Sequence, residues 1–205
     1  MRRQSKRPAW QTALNLVALI GWAAVLVHVI ANWSSLSYTS GSTLLYAIVA
    51  LEAICVYEVL QIAMGTAKGN LELGIVMHYT RLLEATLIMP AAATSLAPRL
   101  ILLAWSITEV CRYPMYLLGG FSHEWPRKMR YLAPAFTFPL GVGAEAWAAC
   151  LVCAHPHAWF PRNVVLRTLV GGAVVMVAPT NVIGGAMSYP ALLRKALKEL
   201  KSHAA

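Results

Sequence analysis

The sequence predicts an all-α polytopic membrane protein: one domain over residues 1–205, six transmembrane helices, both termini on the same side of the bilayer. Three observations predict it. Of the 205 residues 59% are apolar and only 12% charged, against about 25% charged in an ordinary soluble domain. A water-soluble globule of 22.3 kDa has too little interior to hide that much apolar surface, which excludes a soluble enzyme. The apolar residues also fall in long runs, each close to the roughly 20 residues that one bilayer crossing takes. Finally, the bases sit mostly at the ends of those runs, so the net charge of +9 reads as membrane topology and no nucleic-acid partner is expected.

The first span is expected at 11–31. Its basic lead, Met1-Arg2-Arg3-Gln4-Ser5-Lys6-Arg7, resembles that of a secretory signal, but the apolar run from Thr12 to Ala31 is long enough to cross. Asn32-Trp33-Ser34-Ser35 and Gly41 end it, and a second span follows at 43–66. Lys68-Gly69-Asn70 separates that from a third at 71–96, and Ala97-Pro98-Arg99 precedes a fourth at 99–118. The polar stretch up to Arg130 leads into a fifth at 132–154, and His155-Pro156-His157 with Pro161 precedes a sixth at 164–189. Six spans put both termini and the second and fourth loops together. That side collects twelve bases, Arg2, Arg3, Lys6, Arg7, Lys68, Arg127, Lys128, Arg130, Arg194, Lys195, Lys198 and Lys201, against Arg99, Arg162 and Arg167 on the other. The asymmetry places the termini on the cytoplasmic side, or the matrix side of a mitochondrial membrane.

All eight acids are Glu, and five lie within spans: Glu52, Glu58, Glu84, Glu109 and Glu145. An ionised side chain at mid-bilayer costs at least about 2.5 kcal/mol, so these residues should face the bundle interior and find partners there. On the fourth span Glu109, Arg112, Tyr113 and Tyr116 share one helical face, as a packing ion pair or as the wall of a reactive pocket. On the fifth, Phe138 and Glu145 are two turns apart on one azimuth, with Gly141 and Gly143 between them permitting close approach. Glu145 is either functional or paired with Arg112 or Arg81. On the third, His78, Arg81 and Glu84 at three-residue intervals suit a mutual pairing within one helix.

Other polar residues suggest no chemistry. Cys55, Cys111, Cys150 and Cys153 all fall in apolar stretches, and Cys150 and Cys153 read as small packing side chains one turn apart. His28 reads as a packing residue. His155 and His157 have no accompanying acids, so neither a metal nor a cofactor is expected.

Three motifs carry a resemblance. Trp105-Ser106-Ile107-Thr108-Glu109-Val110-Cys111-Arg112-Tyr113-Pro114-Met115-Tyr116 looks like W-S-x-T-E-x-x-R-Y-x-x-Y, and Arg130-Tyr131 with Phe138-Pro139-Leu140-Gly141 and Glu145 looks like R-Y followed by Y-P-x-G-x-x-x-E. Glu58-Val59-Leu60-Gln61 with Gly65 and Arg81 is a weaker match. These resemble the 3-hydroxyacyl-CoA dehydratases of very-long-chain fatty-acid elongation, the protein-tyrosine-phosphatase-like family. The resemblance implies a six-span fold and elimination of water from a (3R)-3-hydroxyacyl-CoA to give the trans-2-enoyl-CoA. It also implies a catalytic Tyr and Glu seven residues apart on one helix. Glu145 matches the glutamate, whereas Phe138 stands at the tyrosine position without the hydroxyl, and Gln61 stands where the family often has His.

Losing a general-acid partner typically costs about 10²- to 10⁴-fold in rate. Thr137, Tyr113 and Tyr116 are the hydroxyls that could substitute. The expectation is therefore a divergent, catalytically impaired member acting as a structural or lipid-binding subunit of a larger membrane complex. The alternative is an active dehydratase that takes acyl-CoA, with Glu145 as base. Membrane lipids and other membrane-protein subunits are the expected partners. Lys201-Ser202-His203-Ala204-Ala205 matches no endoplasmic-reticulum retrieval pattern, which leaves a mitochondrial inner membrane open beside the endoplasmic reticulum. A transporter ranks third, since no internal repeat is visible.

Overall fold

A computed structural model describes residues 8–67, 69–118, 123–154 and 163–201. Arg2, Arg3, Lys6, Arg7, Lys68, Arg162, His155 and His157 lie outside the described residues. The fold is all-helical: α1 (Ala9–Ala31), α2 (Thr43–Ala63), α3 (Leu71–Leu83), a π-helical turn (Glu84–Ile88), α4 (Met89–Ala91), α5 (Ala97–Leu117), α6 (Glu124–Ala154) and α7 (Val164–Lys201). Because α3, the π turn and α4 run on without a break, the described residues form six rods.

Four helices, α1, α2, α6 and α7, are long and apolar enough to cross a membrane. The outer faces of α1 and α7 are lined with Ile20, Val27, Val165, Ile183 and Met187, all well exposed, as lipid-facing surfaces are. The other two rods are each about 31 Å long at 1.5 Å per residue, but carry three charges apiece: Glu72, Arg81 and Glu84, and Arg99, Glu109 and Arg112. The π turn divides the third rod, and in both rods two of the three charges lie well inside, Arg81 with Glu84 and Glu109 with Arg112.

Helix starts follow side-chain chemistry where a polar cap is present. Ser42 accepts from the Leu45 amide at 3.2 Å and Asn70 from the Leu73 amide at 3.0 Å, satisfying amides that have no partner inside the helix. Two helices outrun the expected spans. α6 begins at Glu124 rather than near 132, and α7 continues to Lys201 rather than stopping near 189. The extra turns are polar: Lys128 pairs with Glu124 within α6, and Arg127 of α6 pairs with Glu199 of α7 at 2.8 Å.

α6 and α7 form an antiparallel pair whose register can be read from successive contacts. Arg127 faces Glu199, Phe138 stacks on Tyr189, Gly185 sits against Val142, and Asn181 reaches Glu145. A Cβ at Gly185 would lie 3.2 Å from Val142 Cγ1, so the glycine sets the approach of the two helices. Proline adds a further tie. Pro139 has no N–H to return to the Ala135 carbonyl four residues earlier, and the Tyr189 hydroxyl donates to that carbonyl at 2.9 Å.

The core joins α1, α2, the π turn, α4, α5 and α6 through Trp22, Ile48, Ile88, Met89, Ile101, Leu102 and Ala148. The loop after α1 folds back into it through Tyr38, 1% exposed, and burial raises the pKa of the Tyr38 phenol.

The proline tie makes a prediction. Tyr189→Phe should lower stability by about 1 kcal/mol, the typical net worth of one hydrogen bond. In a Pro139→Ala background, where the Ala135 carbonyl regains a helical partner, the same change should cost markedly less. Thermal unfolding of the four proteins in one detergent measures the coupling.

Candidate functional site

Three rods contribute a buried chain of charges. Glu52 of α2 accepts from Arg81 of α3 at 3.0 Å, and its second oxygen lies 2.8 Å from His78 Nδ1. Arg81 also donates to Glu109 of α5 at 2.8 Å. Glu109 in turn pairs with Arg112 at 2.9 Å, and Arg112 reaches Glu58 of α2 at 3.1 Å. Glu52 and Glu109 are almost completely buried. Each guanidinium therefore bridges two carboxylates, and three carboxylates face two guanidiniums and an imidazole. Removing one member would leave its neighbours with one partner fewer and an excess of charge in apolar surroundings.

This pairing corrects the intrahelical reading of His78, Arg81 and Glu84. The first two turn to Glu52 on the neighbouring helix, and Glu84 joins neither. The π turn begins at Glu84, which at 100° per residue already lies about 120° around the helix from His78. Glu84 is fully buried, and neither of its oxygens has a hydrogen-bond partner among the described residues.

The Glu109–Arg112 stripe lies inward as its spacing requires. The Tyr113 ring is buried, and its hydroxyl accepts from Arg112 at 2.9 Å and lies 3.5 Å from the Cys55 thiol. Tyr116 meets Tyr113 edge-on and lies beneath the guanidiniums of Arg112 and Arg130, at 5.8 and 4.9 Å from its ring centre. Gln61 is buried and accepts from Gln11 of α1 at 2.9 Å, so it ties α1 to α2. His28 is a departure from the packing expected of it: it is exposed at the end of α1 and lies 3.3 Å from the Asn32 amide nitrogen.

Glu145 stands apart from the ion chain. The Trp105 indole donates to one of its oxygens at 2.6 Å and the Asn181 amide to the other at 2.6 Å. Its partners are thus two neutral donors from α5 and α7, rather than the Arg112 or Arg81 expected. Arg81 does come near, with its guanidinium carbon 5.1 Å from the centre of the Trp105 ring. Trp105 therefore sits between the ion chain and Glu145. Gly141 allows α5 to approach here, since a Cβ on it would lie 3.4 Å from Ala104, whereas Gly143 faces open space.

Phe138 lies two turns from Glu145, its ring parallel to Tyr189 within 6° and 6.1 Å from it. Of the hydroxyls named as substitutes, Thr137 and Tyr113 are engaged elsewhere, as is Tyr189, while the Tyr116 ring lies beneath two guanidiniums. Thr137 bonds Thr108 at 2.6 Å and the Ala133 carbonyl at 3.1 Å, Tyr113 belongs to the ion chain, and Tyr189 points to Ala135. Ala135 is ten residues before Glu145, about 15 Å along the helix.

Glu52, Cys55 and His78 also converge, with one potential ligand atom from each within 4.8 Å of the others. The donor set does not suit a cation. Both Glu52 oxygens already have partners, and Arg112 lies 3.5 Å from the thiol.

Asn181 and Tyr189 did not figure among the candidates drawn from the sequence. Asn181 had a usable signal, being an amide in the middle of an otherwise apolar span. Trp105 lay inside a motif, but its role as a donor to Glu145 is visible only once α5 and α6 are packed.

The arrangement is that of an apolar helical protein that carries a buried carboxylate between neutral donors, beside a closed ion chain. The model of the family described as protein tyrosine phosphatase-like protein, PTPLA, matches residues 52–202, and the chain belongs to that family. A very-long-chain (3R)-3-hydroxyacyl-CoA dehydratase of Caenorhabditis elegans is 27% identical over 146 residues, covering 65% of this chain and 65% of the relative, just under two thirds of its length. No solved structure matches the chain.

Two substitutions separate the roles of the buried charges. Arg81→Met should destabilise the protein by about 3–5 kcal/mol, because it takes a cation from two buried carboxylates at once and leaves Glu52 only His78 and Glu109 only Arg112. Glu84→Gln should be neutral or stabilising, since it removes an acid that has no partner to lose. Denaturation midpoints in detergent check both signs.

Proposed function

We propose that this chain is a divergent dehydratase-family member whose pocket is held for structure or lipid binding rather than turnover, within a larger membrane assembly. The observation that carries this reading is at Glu145. Both of its oxygens accept short hydrogen bonds from Trp105 and Asn181, and position 138, where the resemblance calls for a phenol, offers a bare ring. Dehydration needs a base for the C2 proton and an acid for the departing hydroxyl, and Phe138 has no proton to give.

In this reading all six rods cross the bilayer, and both termini face the cytoplasm or the mitochondrial matrix. The ion chain supports the two more polar rods as spans, because its charges find their partners inside the bundle. The membrane is the mitochondrial inner membrane or that of the endoplasmic reticulum. Lipids and neighbouring membrane subunits are the partners.

One observation favours a second reading, an active (3R)-3-hydroxyacyl-CoA dehydratase. Trp105 and Asn181 would also hold a catalytic base in a fixed orientation, and the relative's name describes that activity.

Hydration of a long-chain trans-2-enoyl-CoA by the purified chain decides between them. The unmodified protein should run at background, unchanged by Glu145→Ala, while Phe138→Tyr should gain a Glu145-dependent rate of about 10²-fold or more if the pocket still admits substrate. Glu145-dependent turnover by the unmodified chain would overturn the proposal.

A further inference from the structure

Away from Glu145, a groove of about 900 Å³ lies at the end of the bundle where α1, α4 and α6 finish and α5 begins. One wall is the α1–α2 loop, with Ser37 and Ser40; the other is the α4–α5 connection, with Thr94; Ala91 and Leu151 supply apolar surface. Arg99, in the first turn of α5, lies across it. The Arg99 Nε donates to the Leu36 carbonyl at 3.4 Å, and its terminal nitrogens meet no carboxylate among the described residues. No acid lines the groove. A guanidinium with a fork of free donors, flanked by hydroxyls, is the chemistry that recognises a phosphate oxygen pair.

We propose that this groove binds the phosphate of an anionic glycerophospholipid, with the glycerol and first acyl carbons lying over Ala91 and Leu151. Two features select a lipid over a free anion. The volume far exceeds that of a phosphate ion, and the apolar surface adjoins helix ends, where headgroups meet a bundle of this kind. The start of α5 adds the positive end of a helix dipole to the guanidinium. The proposal rests on the groove alone and holds whether or not Glu145 supports turnover.

Native mass spectrometry of the full chain, titrated with phosphatidylglycerol or phosphatidylcholine, tests it. The unmodified protein should retain phosphatidylglycerol in preference to phosphatidylcholine. Arg99→Gln, which removes the guanidinium, and Ala93→Trp, which fills the groove, should each weaken that retention at least about tenfold. Lys198→Gln, at the far end of α7, should leave it unchanged. Thermal unfolding confirms that each variant is folded, and if Arg99→Gln is not, Ala93→Trp decides. Equal retention by the unmodified protein and the folded variants would mean non-specific lipid and would overturn the proposal. Displacement of the lipid by inorganic phosphate at equal concentration would make the ligand a free anion, and would overturn it too.

Discussion

Charge buried among apolar helices has to be answered inside the protein, because neither lipid nor core offers a partner. That constraint organises this fold. Glu52, Arg81, Glu109, Arg112 and Glu58 form a chain in which each guanidinium is shared by two carboxylates, and the sharing draws α2, α3 and α5 together. Trp105 extends the arrangement with a different chemistry. Its ring faces the Arg81 guanidinium while its indole N–H serves Glu145, so α6 is tied to the ion chain through an aromatic side chain rather than a charge. Asn181 then brings in α7. Five helices are thereby joined through one continuous set of polar contacts within an otherwise apolar bundle.

The same economy bears on function. A pocket built for elimination holds a base at the C2 proton and an acid at the departing hydroxyl, and so needs a hydroxyl that is not already spoken for. Here the hydroxyls near the family's reactive position are occupied in holding helices: Thr137 to Thr108, and Tyr189 to the carbonyl that Pro139 leaves open. The stacked Phe138 and Tyr189 rings then complete an apolar seam between α6 and α7. The bare ring at residue 138 is thus part of a packing arrangement that makes use of it.

Much of this was legible in the sequence, and the limits are instructive. The run lengths and the segregation of bases pointed to an all-helical membrane protein, and the W-S-x-T-E-x-x-R-Y pattern pointed to the family to which the chain belongs. The Glu109–Arg112 pair was legible because three-residue spacing alone brings the two side chains together. Pairings across helices were not. His78, Arg81 and Glu84 have a spacing that suits each other, yet Glu52 lies 26 residues from His78 and takes it instead, and Glu84 stays buried without joining either. Partners for Glu145 were sought among charges, whereas an indole and an amide supply them. Spacing reports what one helix can do for itself, and is silent on what a neighbour offers at shorter distance.

The central claim is that Glu145 serves as the acceptor that fastens α5 and α7 to α6. Thermal unfolding of Glu145→Met, close in size but unable to accept, tests it most directly. The account predicts a melting temperature lower by several degrees, because the Trp105 and Asn181 donors are left buried and unpaired at about 1–3 kcal/mol each. An unchanged or raised melting temperature, the usual result of removing a carboxylate kept for catalysis at the expense of stability, would contradict it.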